Sequence, residues 1–75
     1  MNITPAQCRA ARGLLNWSQG NLARVAQVAR ASLAEFEAGM RRPDTRTLED
    51  IQRTLQGAGV EFTDGDQPGA AKAAR

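Results

Sequence analysis

Three features of the 75-residue sequence predict an all-α fold of four to five short helices, with one short strand near the C-terminus. Apolar residues recur at three- and four-residue spacing in four separate stretches, the period of a helix with one buried face. Each stretch is preceded by a residue that caps helix starts (Thr4, Ser18 or Asp44) or followed by one that ends helices (Gly39 or Gly57). Only Val60–Thr63 alternates apolar and polar with the period of a strand. A chain this short builds one small domain burying about 60% of the surface its unfolded form exposes, so modest stability is expected unless a second subunit adds to the core.

The first helix starts at Pro5, because Thr4-Pro5-Ala6-Gln7 is a capping box with proline at the first helical position. It runs to about Leu14, with Cys8, Ala11, Leu14 and Leu15 as its buried side. Gly13 is tolerable near its end, and Asn16-Trp17 leads into the next cap. Trp17, just before Ser18, sits where a hydrophobic staple forms, so core packing is expected in preference to base stacking. Ser18 opens a second, short helix whose inward residues are Leu22, Ala23 and Ala26, ending near Gln27. Val28, Leu33 and Phe36 then point inward along a third helix stopped by Gly39, while Arg30, Ala31, Ala34, Glu35 and Ala38 fall on its opposite stripe. Asp44 caps a fourth helix carrying Leu48, Ile51 and Leu55, and Gly57 ends it.

Residues 1–63 are expected to form the domain. Residues 64–75, DGDQPGAAKAAR, are rich in Gly, Asp and Ala without apolar anchors and are expected to be a disordered tail. The strand at Val60–Thr63 therefore has no ladder partner that the sequence reveals. Either Val60 and Phe62 meet a second copy of the chain, or they fold back onto their own helix.

Composition removes several classes of function. The 41% hydrophobic and 24% charged content is ordinary for a soluble domain, and no apolar run approaches the ~20 residues of a membrane span. Residues 1–10 have neither the basic nor the apolar region of a secretion signal, so a cytoplasmic location is expected. One cysteine and no histidine offer no internal disulfide, no metal cluster and no His-based catalytic pair. Cys8 lies on the apolar side of its helix and is expected to be a small core residue. No cofactor and no metal are expected, and an enzyme or nuclease accessory has no convergent acidic cluster to use. Charge is more suggestive: residues 1–56 carry eight arginines against five acids, whereas residues 57–75 carry two bases against three acids. The positive charge lies with the helices.

The outer stripe of the third helix is where function is expected. A helix that is merely solvated carries many long charges, whereas one entering a DNA major groove needs small residues near the groove floor and few long donors. Ala31, Ala34 and Ala38 allow close approach, and Arg30 and Glu35 are the two charges among them.

These residues also form a pattern. Ser18-Gln19, Leu22-Ala23, Ala26 and Val28, Leu33, Glu37 and Gly39, and Arg41-Arg42-Pro43 resemble the Cro-repressor type helix-turn-helix regulators, the XRE family, over roughly residues 7–55. The resemblance implies a lambda-repressor-like DNA-binding domain and a transcriptional regulator that binds double-stranded DNA with helix 3 in the major groove. It implies base reading by Arg30, Ala31, Ala34 and Glu35. A bidentate arginine on guanine is the commonest specific contact, and a carboxylate accepts from cytosine N4. Glu35 has a second role open to it, orienting an arginine or excluding wrong bases. Backbone contacts fall to Ser18, Gln19, Ser32, Arg41, Arg42 and Arg46. Arg12 is expected to pair with Glu37 as a structural ion pair, two separately solvated charges being the alternative.

Small relatives of this kind often pair across a two-fold axis, so a homodimer with Leu55, Val60 and Phe62 at the interface is expected, on an inverted-repeat operator. Repression by occupying a promoter is the simplest output, with activation through RNA polymerase as the other. A rival class with the same fold is an antitoxin-type protein-interaction module. Two departures stand out: the family usually has Gly where this chain has Gln27, and Ser or Thr where it has Ala29. Each departure is expected to cost on the order of 1 kcal/mol, the first as a left-handed non-glycine and the second as a lost cap.

Overall fold

A computed structural model of the chain describes residues 3–63 and 69–72. Four helices and a hairpin follow in order: α1 (Pro5–Leu15), α2 (Gln19–Ala26), α3 (Arg30–Glu37), α4 (Thr45–Gly57), β1 (Val60–Thr63) and β2 (Gly69–Lys72). The caps expected at Thr4, Ser18 and Asp44 are formed, their side chains accepting from the backbone N–H groups of Gln7, Asn21 and Thr47. At Thr4 the capping box is complete in both directions. Ala29, which opens α3, makes no side-chain cap.

The first three helices end alike. Asn16, Gln27 and Gly39 are left-handed, with φ of 58°, 60° and 74°. The N–H of the following residue then reaches the carbonyl five positions back: Trp17 to Arg12, Val28 to Ala23 and Met40 to Glu35. This is the Schellman closure, which satisfies carbonyls that a helix end would otherwise strand. Its usual apolar companion is present twice, because Trp17 and Val28 both pack against the core. Trp17 is thus half-buried between the end of α1 and the start of α2. The tight reversal between α2 and α3 is made by Gln27, a residue without glycine's freedom.

One apolar cluster holds the elements together. Leu22, Leu33, Leu48, Ile51 and Leu55 are its largest fully buried side chains, joined by Cys8, Ala11, Phe36 and Val60. Burying a leucine or isoleucine stabilises by roughly 1.5–3 kcal/mol each, so five of them carry much of the fold. Ile3 is also buried and lies outside the sequence expectations. Its signal was available, since an apolar residue just before an N-cap commonly packs on the fourth helical residue, here Cys8.

The C-terminal region departs from expectation. β1 does have a partner in the chain: β2 pairs with it antiparallel, with Phe62 opposite Ala70 and Thr63 opposite Gly69. Gly69–Lys72 is therefore ordered strand where a tail was expected, and residues 64–68 and 73–75 lie outside the described residues. β2 rests on α1. Buried Gln7 closes the hairpin mouth, its Nε2 donating to the carbonyls of Thr63 (2.9 Å) and Gly69 (3.1 Å) while its Oε1 accepts from the Thr4 N–H. Leu55 and Val60, expected at a dimer interface, are instead in the core at 0% and 2% exposure, so neither has surface left for a second copy. The apolar spacing that suggested an interface is satisfied inside one chain. Phe62 alone of the three is only partly buried, and it too packs against the chain's own core, as the fold-back alternative expects.

Candidate nucleic-acid interface

The outward helix is anchored through its last residue. Glu37 is 2% exposed, yet it is a carboxylate, and burial of such a group is tolerable only if its lone pairs are filled. Arg12 from α1 does most of this with a bidentate pair, Nε to Oε2 at 2.7 Å and Nη2 to Oε1 at 2.6 Å. The third arm of the Arg12 guanidinium donates to the Trp17 carbonyl at 3.1 Å, tying the α1–α2 connection into the same cluster. Gln19 Nε2 reaches Oε1 at 3.0 Å and the Cys8 thiol reaches Oε2 at 3.1 Å. Arg9 donates to the Glu37 backbone carbonyl.

Burial pushes the Glu37 carboxyl up, but the hydrogen bonds from Arg12, Gln19 and Cys8 and the charge of Arg12 outweigh it, so the group is held below its ordinary range. The same bond raises the Arg12 guanidinium. Burial, then the bond to Glu37 and its charge, push the Cys8 thiol up, which keeps it protonated as a donor. The pairing of Arg12 with Glu37 thus has a bidentate geometry in this fold, and separately solvated charges do not describe it.

With Leu33, Phe36 and Glu37 turned inward, the other side of α3 faces outward. Arg30 and Ala31 are exposed at its first turn, while Ala34, Glu35 and Ser32 are half-buried along its flank and Ala38 is exposed at its end. Ser32 and Glu35 share a shallow groove with Arg41, Arg42, Pro43 and Asp44 of the α3–α4 connection and Thr47 of α4. Arg41 and Arg42 are exposed at its edge. Hydrogen bonds from the Thr47 backbone and hydroxyl hold the Asp44 carboxyl below its usual range, so the groove carries two acids beside its two arginines.

Arg46, grouped with Arg41 and Arg42 by sequence, is exposed but lines a different groove, between the end of α2 and α4 beside Val25, Gln27 and Asp50. Among the described residues none of Arg30, Arg41, Arg42 and Arg46 is in an ion pair; the pairs there are Arg12–Glu37 and Arg53–Asp50. Ser18 is exposed at the start of α2, its hydroxyl oxygen capping Asn21 at 3.0 Å. Gln19 is turned inward to Glu37. The convergence of Cys8, Gln19 and Arg9 on Glu37, and of Gln7 on the hairpin, is not among the sequence expectations. In α1, Cys8 and Arg9 each lie about one turn before Arg12, but only the packing of α3 against α1 gives them a common target.

A short capped helix, a left-handed turn and a second helix with a small, outward, arginine-bearing face define a DNA-binding helix-turn-helix protein. The helix-turn-helix family matches residues 9–62, well over half of the chain, and the chain belongs to that family, as a regulator of the Cro or XRE type. No curated protein matches the chain. No helix among the described residues is long and apolar enough to cross a membrane.

Proposed function

We propose that this protein is a sequence-specific regulator of transcription that binds an inverted-repeat operator as a homodimer, with α3 of each copy in a major groove. The observation that carries this reading is the division of α3: Leu33, Phe36 and Glu37 anchor one side, leaving Arg30 and Ala31 clear of the protein on the other. Arg30 reads guanine through O6 and N7, a contact worth about 1–3 kcal/mol of discrimination. Ala31 and Ala34 meet thymine methyl groups, and Glu35 accepts from cytosine N4 or rejects a wrong base. Ser18, Ser32, Arg41 and Arg42 hold phosphates, and Arg46, on its separate groove, reaches flanking backbone.

With Leu55 and Val60 in the core, the dimer contact rests on Phe62 and the hairpin around it. The simplest output is repression by occupancy, with contact to RNA polymerase as the route to activation. Selection of bound duplexes from a random pool tests all of this together. Enrichment of a palindrome is expected, its half-sites about one helical turn, 34 Å, apart. No enrichment in low salt overturns the reading, and a protein partner co-purifying at equal stoichiometry would then favour the interaction-module class.

A further inference from the structure

Arg12 fills only part of the Glu37 carboxylate. An ionised carboxyl offers about four lone-pair sites, and a bidentate arginine takes one on each oxygen, leaving two in a setting where water is shut out. Gln19 from α2 and Cys8 from α1 take those two, at 3.0 and 3.1 Å. We propose that Gln19 and Cys8 are positioning residues for the DNA-reading helix, holding the Glu37 carboxylate, and through it the last turn of α3, in the one orientation that presents Arg30 to base edges. This rests on the reading of α3 given above.

The geometry favours this role over a phosphate contact for Gln19. The buried carboxylate takes one of the two Nε2 hydrogens and turns the amide nitrogen inward, so Gln19 keeps a single side-chain donor hydrogen, and its Oε1, an acceptor, cannot bond to a phosphate oxygen. α3 is short, eight residues with no side-chain cap at Ala29, and besides the Arg12 pair and the Arg9 bond to the Glu37 carbonyl it is held by two large buried side chains, Leu33 and Phe36. Removing a donor leaves a buried acceptor unpaired, and a small rotation of α3 that lets it find water moves Arg30 out of bidentate register. Cys8, protonated by its buried setting, differs from an alanine there by this one hydrogen bond and a sulfur atom.

The test uses the full chain with Gln19→Met, Cys8→Ala and Cys8→Ser. In the free protein, amide hydrogen exchange at Glu37 and Ala38 is compared with Ile51 and Leu55 of α4. Gln19→Met and Cys8→Ala should speed exchange in α3 by about tenfold, the worth of one hydrogen bond to a charged acceptor, with α4 unchanged. Cys8→Ser, which keeps a donor, should restore it. Unchanged exchange in α3, or an equal rise in α3 and α4, overturns the proposal. On DNA, the ratio of affinity for the selected duplex to that for a random duplex should fall about fivefold or more in Gln19→Met and Cys8→Ala, the slope against salt staying the same. An equal loss on both duplexes makes Gln19 a phosphate contact and overturns it. If the wild type selects no duplex, the base-reading role of α3 fails, and the exchange measurement alone decides whether Gln19 and Cys8 hold α3.

Discussion

Gln27 and Glu37 occupy positions that sequence composition disfavours, one by its backbone and the other by its charge. Gln27 is exposed at φ 60°, and its side chain makes no hydrogen bond among the described residues, so glycine there loses no hydrogen bond and relieves a left-handed strain larger than the entropy it adds to the unfolded chain. Gln27→Gly should raise stability by about 1 kcal/mol, read from the midpoint of urea unfolding. Glu37 has the opposite sign: Glu37→Gln or Arg12→Met leaves a buried group without its partner, and a loss of roughly 3–5 kcal/mol is expected, enough to unfold much of a domain this small.

The pH dependence follows from the lowered carboxyl of Glu37. A group whose folded value lies below its unfolded one, ordinarily 4.5, contributes fully above that value and loses its contribution as pH falls through the folded value. Wild-type stability should therefore drop below about pH 4.5 while the gap between wild type and Glu37→Gln closes; a gap that stays constant down to pH 2 would refute the assignment. Gln27 and the Arg12–Glu37 pair were legible in the sequence, through the family pattern. The donors Cys8 and Gln19 were not, because nothing local distinguishes a core cysteine from one aimed at a carboxylate on another helix.

Among the helices α3 is the least supported by its own sequence. It lacks a side-chain cap, has no acid in its first turn, and starts with Arg30, a cation at the positive end of the helix dipole. Local rules tend to be broken where a surface is shaped for something other than stability. Ala29→Ser, at a residue already in extended backbone, should add about 1 kcal/mol by capping α3. The arginines divide by element. Arg30→Ala on α3 should weaken the selected duplex far more than a random one, whereas Arg41→Ala or Arg42→Ala on the connection should weaken both equally and lower the salt slope by about 1. Gel-shift titrations at several salt concentrations separate the two patterns, and an unchanged ratio in Arg30→Ala would remove it from base reading. The hairpin is the element that the sequence hid. GAAK has no β-branched or aromatic residue to announce a strand, and it becomes one because β1, α1 and the two bonds from Gln7 provide a place for it.

At the scale of the whole molecule, the longest dimension is 32 Å, and one copy carries one outward α3. Two successive major grooves on one side of a duplex are about 34 Å apart, so reading both takes a second copy. Light scattering at tens of micromolar should report a dimer, and Phe62→Glu should return it to monomer with the helical circular dichroism intact. A monomeric mass at that concentration would count heavily against the homodimer. Because Leu55 and Val60 are in the core, substitutions there should unfold the chain without separating two folded copies: Leu55→Ala is expected to cost about 2–5 kcal/mol.

The sequence alone determined what depends on near neighbours. The four helices, their caps at Thr4, Ser18 and Asp44 and the strand at Val60–Thr63 each follow from the residues within a turn or two. Spacing also divided α3 into an inward and an outward stripe. Tertiary structure decided what depends on who meets whom: that Leu55 and Val60 fill one core, that residues 69–72 become a strand, and that Arg46 leaves the company of Arg41 and Arg42. It also brought Cys8 and Gln19 to the pair that Arg12 makes with Glu37. An apolar residue has the same periodicity whether it faces its own core or a partner, and a polar one the same identity whether it meets water or a buried carboxylate. Only the packing of distant segments separates these cases, because burial and hydrogen bonding are properties of the pair and not of either residue.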